Sequence, residues 1–210
     1  MSPPTEVAKR EKSRKRILHA AMVEFAEKGF QGARIVKIAK NAGMNVQAIY
    51  YHFGKKKDLY VATIESIYEE DQFADVCEKL VTYPPEEAIR EFIYFMLTQY
   101  TRHPLSHTLL IDHGRNKASV YLRERPYINR LFRDLTDAVK DALARGAEEH
   151  KFRADLDPIH VFLTVTSLTG NYLYKAETYE ALLGRNFGSP EEVQKWAKYV
   201  CDLVLLSLRR

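Results

Sequence analysis

The sequence predicts an all-α protein, a three-helix head followed by a larger helical-bundle body, and three observations carry that expectation. Apolar residues recur at three- and four-residue spacing through nearly every long segment. No segment of useful length alternates polar and apolar with period two, so no strand is expected. Prolines and glycines fall mostly between the periodic stretches, as at Gly29, Gly43, Pro104, Gly146 and Pro190.

Taken in order, residues 1–12 read as a flexible basic arm, rich in charge and opened by two prolines. From Ser13, Ile17, Leu18, Ala21, Met22 and Phe25 describe a first helix that Gly29 ends. A second helix spans about Arg34 to Asn41, with Ile35, Ile38, Ala39 and Ala42 as its stripe and Gly43 as its break. Asn45 can cap a short third helix to about Tyr51, in which Ala48, Ile49 and part of Tyr50 face inward. A fourth opens near Lys57 and continues to about Leu80. Beyond it, one helix stops before Pro104, a shorter one occupies "PLSHTLLIDHGR", and another ends at Gly146. Helices over Pro158 to Leu183 and Pro190 to Leu208 close the chain. The expected domains are the arm 1–12, a helix-turn-helix head 13–58 and a body 59–210.

Charge is distributed unevenly. Met1 to Ala62 holds 13 Lys and Arg against 5 Asp and Glu, a balance of +8, and the remainder holds 19 against 23, or −4. A basic head on a mildly acidic body points to a polyanion-binding module joined to something with another task. No stretch approaches the roughly 18 apolar residues of a membrane span, and the amino terminus lacks a signal-peptide core, so a cytoplasmic protein is expected. Cys77 and Cys201 read as two reduced thiols. Glycine-rich phosphate loops and the His-Glu-x-x-His and Gly-x-Ser-x-Gly motifs are missing, so no enzymatic activity and no cofactor are expected.

Helix, glycine turn and short polar helix is the description of a helix-turn-helix, whose second helix enters the major groove. The run Lys55, Lys56, Lys57 then falls where the duplex backbone would pass. The same pattern also fits three surface helices with a solvated lysine run. In the DNA-binding reading Asn45 and Gln47 are base-edge candidates, and Val46 or Ala48 can meet a thymine methyl. Tyr51, His52, Lys55 and Lys56 are phosphate candidates, while Tyr50 and Phe53 anchor the helix. Lys9, Arg10 and Lys12 of the arm reach an adjacent groove or add salt-dependent affinity.

The stretch "KIAKNAGMNVQAIYYHFGKKKDLY" resembles the amino-terminal domain of the TetR family of bacterial transcriptional regulators. The resemblance rests on Ile38 and Ala39, Ala42 and Gly43, Tyr50, Tyr51, His52, Phe53, Lys56 and Leu59, with "ILHAAMVEFAEKGFQGA" upstream. It departs at Ala33 and Arg34, where the family usually places a hydroxyl residue that caps helix two and touches phosphate. Arg34 supplies a different phosphate contact in this reading. The resemblance implies a homodimer on double-stranded operator DNA, acting most often as a repressor released by a small organic effector. An activator of the same fold, or an architectural DNA-binding protein without effector control, is the alternative.

For the body the same resemblance implies a dimer interface in the last two long helices, with Phe162, Val165, Leu168, Trp196, Val200, Leu203 and Leu206 as candidates. Burial of those side chains within one subunit is the competing account. Phe92, Phe95, Met96, Tyr100, Leu110, Tyr127, Phe132, Tyr172 and Tyr174 are pocket candidates, although each is also ordinary core material. His113 and Arg115 offer a polar anchor for an acidic effector. His103 and His107 have metal-like spacing but are separated by Pro104, and no metal is expected.

Overall fold

The structure, a computed structural model, describes residues 6–68, 70–102, 105, 108, 109 and 126–209. The chain divides into two compact units, one made of Met1–Tyr68 with Leu105–Pro126 and the other of Glu69–Pro104 with Tyr127–Arg210. The protein is all-α, and the described residues form helices without a strand.

The first unit is built on α1 (Glu6–Gly32), α2 (Ile35–Ala42), α3 (Val46–Phe53) and α4 (Lys56–Glu65). Helix α1 begins at Glu6, so much of the stretch expected as a flexible arm is helical. Its regular path breaks at Gly29, where φ is 66°. Ile17, Ala21 and Phe25 on α1 meet Ile38, Ile49, Leu59, Tyr60 and Ile64 in a core that excludes water. Phe25 and Tyr60 pack edge to face at 4.9 Å between centroids, and Phe30 lies 5.0 Å from Tyr60. Such aromatic pairs add about 0.5–1.5 kcal/mol each beyond area burial. Tyr60 lies past the expected boundary at residue 58, yet it sits in the head's core. Gly43 terminates α2 at φ 62°, and a Cβ there would also lie 2.5 Å from the Arg16 guanidinium. Only glycine meets both demands without displacing a neighbour.

The fourth helix does not run on to Leu80. It stops at Glu65, and the N–H groups of Ile67 and Tyr68 turn back to the carbonyls of Ile64 and Glu65. The hydroxyls of Thr63 and Ser66 donate to the carbonyls of Leu59 and Thr63, competing for acceptors the helix would use.

The second unit contains α5 (Glu70–Thr82), α6 (Pro85–Arg102), α7 (Pro126–Glu148), α8 (Pro158–Tyr174), α9 (Ala176–Leu183) and α10 (Pro190–Leu208). Helix α6 is its centre, packing against α5, α8 and α10 with Ala88, Ile89, Phe92 and Ile93 fully buried. Arg145 of α7 donates to the carbonyls of Leu80 at 2.6 Å and Tyr83 at 2.8 Å, satisfying the open end of α5. At the end of α7 the ring of Phe152, fully buried, occupies the space beside Gly146 where a Cβ would stand, 2.0 Å from its nearest atom. The segment expected as one helix to Leu183 divides at Lys175 into α8 and α9. Phe187 packs against both Tyr172 and Tyr179, drawing the chain after Lys175 back toward the end of α8. Of the helix expected in "PLSHTLLIDHGR", Leu105, Thr108 and Leu109 are helical and the rest lies outside the described residues.

Candidate nucleic-acid interface

Helix α3 is anchored by a single fully buried side chain, Ile49, so most of its surface remains available. The Asn45 Oδ1 accepts the Ala48 N–H at 2.8 Å and fixes the helix start. That bond commits the side-chain carbonyl of Asn45 to the backbone, while the residue itself remains exposed. Gln47 is exposed, and Val46 and Ala48 are half-buried beside it. Tyr51 is 71% exposed; Tyr50, expected as an anchor, is 53% exposed.

Helix α1 places two cations against the far end of α3. The Arg10 guanidinium lies 5.6 Å from the Tyr51 ring centroid and that of Arg14 lies 5.4 Å from the Phe53 centroid, a cation–π arrangement. Burial, then the charges of Arg10 and Arg14, hold the His52 imidazole below its usual range, so it favours the neutral form. Arg10 was foreseen as part of the arm; Arg14 was not. The four-residue step from Arg10 to Arg14, one helical turn on the same face, was the available signal.

Three lysines at the start of α4 oppose the helix dipole, which favours negative charge there. Asp58, accepting the Lys55 N–H at 3.1 Å, offsets them locally. Lys56 is also part of the fold: its Nζ donates to the Gln31 carbonyl at 3.3 Å and sits 5.1 Å from the Phe30 ring centroid. Burial lowers its pKa, while the nearby Glu24 charge opposes that shift. Arg34 is exposed and precedes α2 with extended backbone and no capping side chain of its own. Its N–H donates instead to the buried Glu24 Oε1 at 3.1 Å. Glu24 was missed in the sequence, although it lies seven residues after Ile17 and so falls on the inward face of α1.

In the second unit the pocket candidates fall into separate groups. Phe92 stacks on Phe162 at 5.5 Å, Phe162 meets Phe132 at 6.2 Å, Phe132 meets Phe73 at 6.2 Å and Phe73 meets Phe95 at 5.2 Å. Met96 is buried, and burial raises the pKa of the Tyr100 hydroxyl. A cavity of about 100 Å³ opens between α5 and α7 against Phe73, Cys77 and Leu131. Burial pushes the Cys77 thiol up to about 11. Tyr127 carries the Arg130 guanidinium at 5.9 Å. Tyr172 stands elsewhere, stacked on Trp196 at 4.6 Å with its hydroxyl donating to the Phe187 carbonyl, and Tyr174 is exposed. Leu110, His113, Arg115, His103 and His107 lie outside the described residues. A broader groove of about 810 Å³ belongs to the head, between α1 and α2, and its lining includes Lys12, Lys15, Arg16 and His19.

The interface candidates divide by helical phase. Val165 and Val200 are fully buried inside the protomer, and Phe162, Leu168 and Trp196 are half-buried, with the Trp196 indole N–H donating to the Leu168 carbonyl. Leu203 and Leu206 face outward, joined by Tyr199 on the same helix and by Ile159, Leu163 and Tyr174 on α8. Among the described residues no group of three His, Cys, Asp or Glu side chains is placed to hold a metal, and no helix is long and apolar enough to cross a membrane.

A glycine-turned helix pair whose short second helix exposes Gln47, Tyr50 and Tyr51 and is flanked by Arg10, Arg14 and three lysines defines a helix-turn-helix DNA-binding protein. The chain belongs to the tetR family of bacterial regulatory proteins: residues 17–63 match that family's model, and residues 85–204 match the model of the tetracyclin repressor-like C-terminal domain. It is 29% identical over 200 residues to the HTH-type transcriptional repressor NicS of Pseudomonas putida, covering 95% of this chain and 94% of that protein. It is 28% identical over 173 residues to the HTH-type transcriptional regulator RutR of Escherichia coli K12, covering 81% and 78%. Among solved structures, the ketosteroid transcriptional regulator KstR2 of Mycobacterium tuberculosis shares its fold with a TM-score of 0.69, at 21% identity and 94% and 95% coverage. HlyIIR, a hemolysin II transcriptional regulator, does so at 0.67, with 21% identity and 96% and 99% coverage. The protein is a DNA-binding transcriptional regulator, and its role is regulatory rather than catalytic.

Proposed function

We propose that the protein is a homodimeric repressor that reads an operator with two copies of α3 and leaves it when a small organic effector occupies the body. The observation that carries this reading is the exposed apolar strip on α8 and α10, where Leu163, Leu203 and Leu206 stand in water in a single protomer. One α3 covers one half-site, and paired half-sites lie about 34 Å apart, so a second copy on that strip answers both needs. Gln47 and the Asn45 amide read base edges, with Val46 and Ala48 beside a thymine methyl. Arg34, Tyr51, His52, Lys55 and Lys56 hold phosphates. The phenylalanine cluster and the small cavity beside it support an effector site in the body, because side chains around a void lack partner atoms that a ligand can supply. Repression is supported by NicS, whose name describes a repressor.

Genome-wide mapping of bound DNA, followed by a footprint on the strongest site, tests the DNA half. A palindromic footprint that contracts to one half-site in a monomeric variant is expected; a single unpaired site bound by the wild type would overturn the dimeric reading. Calorimetry with metabolites of the neighbouring genes tests release, since an effector that dissociates operator must itself bind the operator complex more weakly by the same factor.

A further inference from the structure

We propose that Glu24 is a positioning residue of the DNA-binding head, supplying from α1 the carboxylate that α2 lacks in its own first turn. Helix α2 has eight residues, well short of the roughly 12–15 at which an isolated helix becomes stable, so its start must be held from outside. Its N-cap, Arg34, accepts no backbone N–H through its side chain. Two positions further in than the first helical residue, where a Glu or Gln ordinarily reaches back to the N-cap N–H, stands Lys37, an amine that cannot accept. The Arg34 N–H is bonded to Glu24 instead, at 3.1 Å, by a side chain 5% exposed within an otherwise apolar stripe. A charged group is kept in such a place only where it has partners, and here it also sets negative charge against the positive end of α2.

The contact does more than hold a helix end. The connection from Phe30 to Arg34 is gripped on one side by Glu24 at Arg34 and on the other by Lys56 at Gln31 and Phe30. Both Arg34 and Lys56 are proposed phosphate ligands, and Glu24 fixes the backbone of the first from a buried position. The Arg34 guanidinium, which has donors and no acceptor, cannot cap the helix itself and remains exposed. This inference rests on the DNA-binding reading for its consequence but not for its geometry, which is testable in the free protein.

The experiment is amide hydrogen exchange and 15N–1H spectroscopy on the full-length protein, with wild type, Glu24→Gln, Glu24→Ala and Glu24→Ala/Lys37→Gln. In the wild type the Arg34 amide is expected to be protected from exchange, and Glu24→Gln should shift its resonance while keeping an acceptor and near-native protection. Glu24→Ala should raise α2 exchange about fivefold, the ~1 kcal/mol typical of a lost cap. Lys37→Gln should recover most of it by restoring an acceptor within α2. Binding to specific and non-specific DNA should fall by a common factor in Glu24→Ala and recover in the double variant. An Arg34 resonance unchanged in Glu24→Gln overturns the proposal, and so does a failure of Lys37→Gln to restore α2. If Glu24→Ala does not fold, the wild-type and Glu24→Gln spectra decide alone. Native spectra with no DNA bound by the wild type would refute the DNA-binding reading and leave the Glu24 contact standing.

Discussion

The head and the body solve the same packing problem and then differ in what they leave uncovered. Each packs a set of aromatic rings together: Phe25, Phe30 and Tyr60 in one, and Phe73, Phe92, Phe95, Phe132 and Phe162 in the other. The head then turns a polar, cationic surface outward, centred on Gln47, Tyr51 and Lys55, whereas the outer side of α8 and α10 shows Ile159, Leu163, Leu203 and Leu206. A surface that gives up water to phosphate needs charge that can shed counterions, and one that gives it up to protein needs hydrocarbon. The two exposed surfaces therefore name their partners by chemistry, while the two cores, chemically alike, name nothing.

Substitutions on the two faces of α10 give the sharpest break in this comparison. Val200→Asp places an unpaired charge in the protomer core and should cost at least ~3 kcal/mol, visible as loss of helicity and a collapsed melting temperature. Leu203→Asp should leave circular dichroism native while light scattering reports a single protomer mass, with operator affinity down at least about a hundredfold, or ~2.7 kcal/mol. A folded Leu203→Asp variant that remains dimeric would place the interface elsewhere. Next in size, Phe25→Ala should destabilise the head by about 3–5 kcal/mol through loss of its central ring, while the body keeps its hydrogen-exchange protection. Equal loss of protection in both units would mean that they unfold together.

Smaller effects separate the head's own roles. Gln47→Ala should relax preference at one or two base pairs per half-site by about 1–3 kcal/mol, read on a panel of operator variants. Lys55→Ala should lower affinity for every sequence alike and reduce the salt slope by about one phosphate contact per subunit. Identical sequence-independent losses in both would remove Gln47 from base reading. The least effect is in pH. Because the His52 pKa is lowered in the folded protein, the unfolded chain binds more protons between that value and 6.5; the associated stability is full above 6.5 and is lost as pH falls through the folded pKa. A neighbouring phosphate favours the charged imidazole, so DNA binding takes up a proton and affinity should rise modestly from pH 8 to pH 6. His52→Asn should flatten that rise, and an unaltered profile would detach His52 from phosphate.

The fold class and the recognition helix were legible because each depends on local rules: helical periodicity, glycine at the α2 turn and an asparagine cap at α3. The end of α4 at Glu65 was not, since no proline or glycine announces it; the hydroxyls of Thr63 and Ser66 bond carbonyls one turn back there, but so does that of Thr136 inside unbroken α7. Glu24 was hidden for a related reason: its partner is ten residues away on another helix. In the body, spacing alone did not fix which side of α8 and α10 faces inward, so Val165 and Leu203 looked equivalent until α6 showed which side was covered. Aromatic residues could be enumerated but not sorted, as Tyr172 proved to stack on Trp196 rather than join the phenylalanines.

The ring of Phe152 beside Gly146 ties two positions into one heritable unit. A methyl at 146 has no room while the ring is there, and removing the ring leaves a hole that a lone glycine cannot fill. Gly146→Ala and Phe152→Ala should each be harmful alone, whereas together they should cost less than their sum, because alanine at 152 removes the ring atoms that stand where the methyl must go. A lineage can thus cross from one pairing to the other only through a weakened intermediate or by changing both codons at once. In a complete pairwise mutational map of this regulator, that ordering would stand out as strong positive epistasis between two sites of the body.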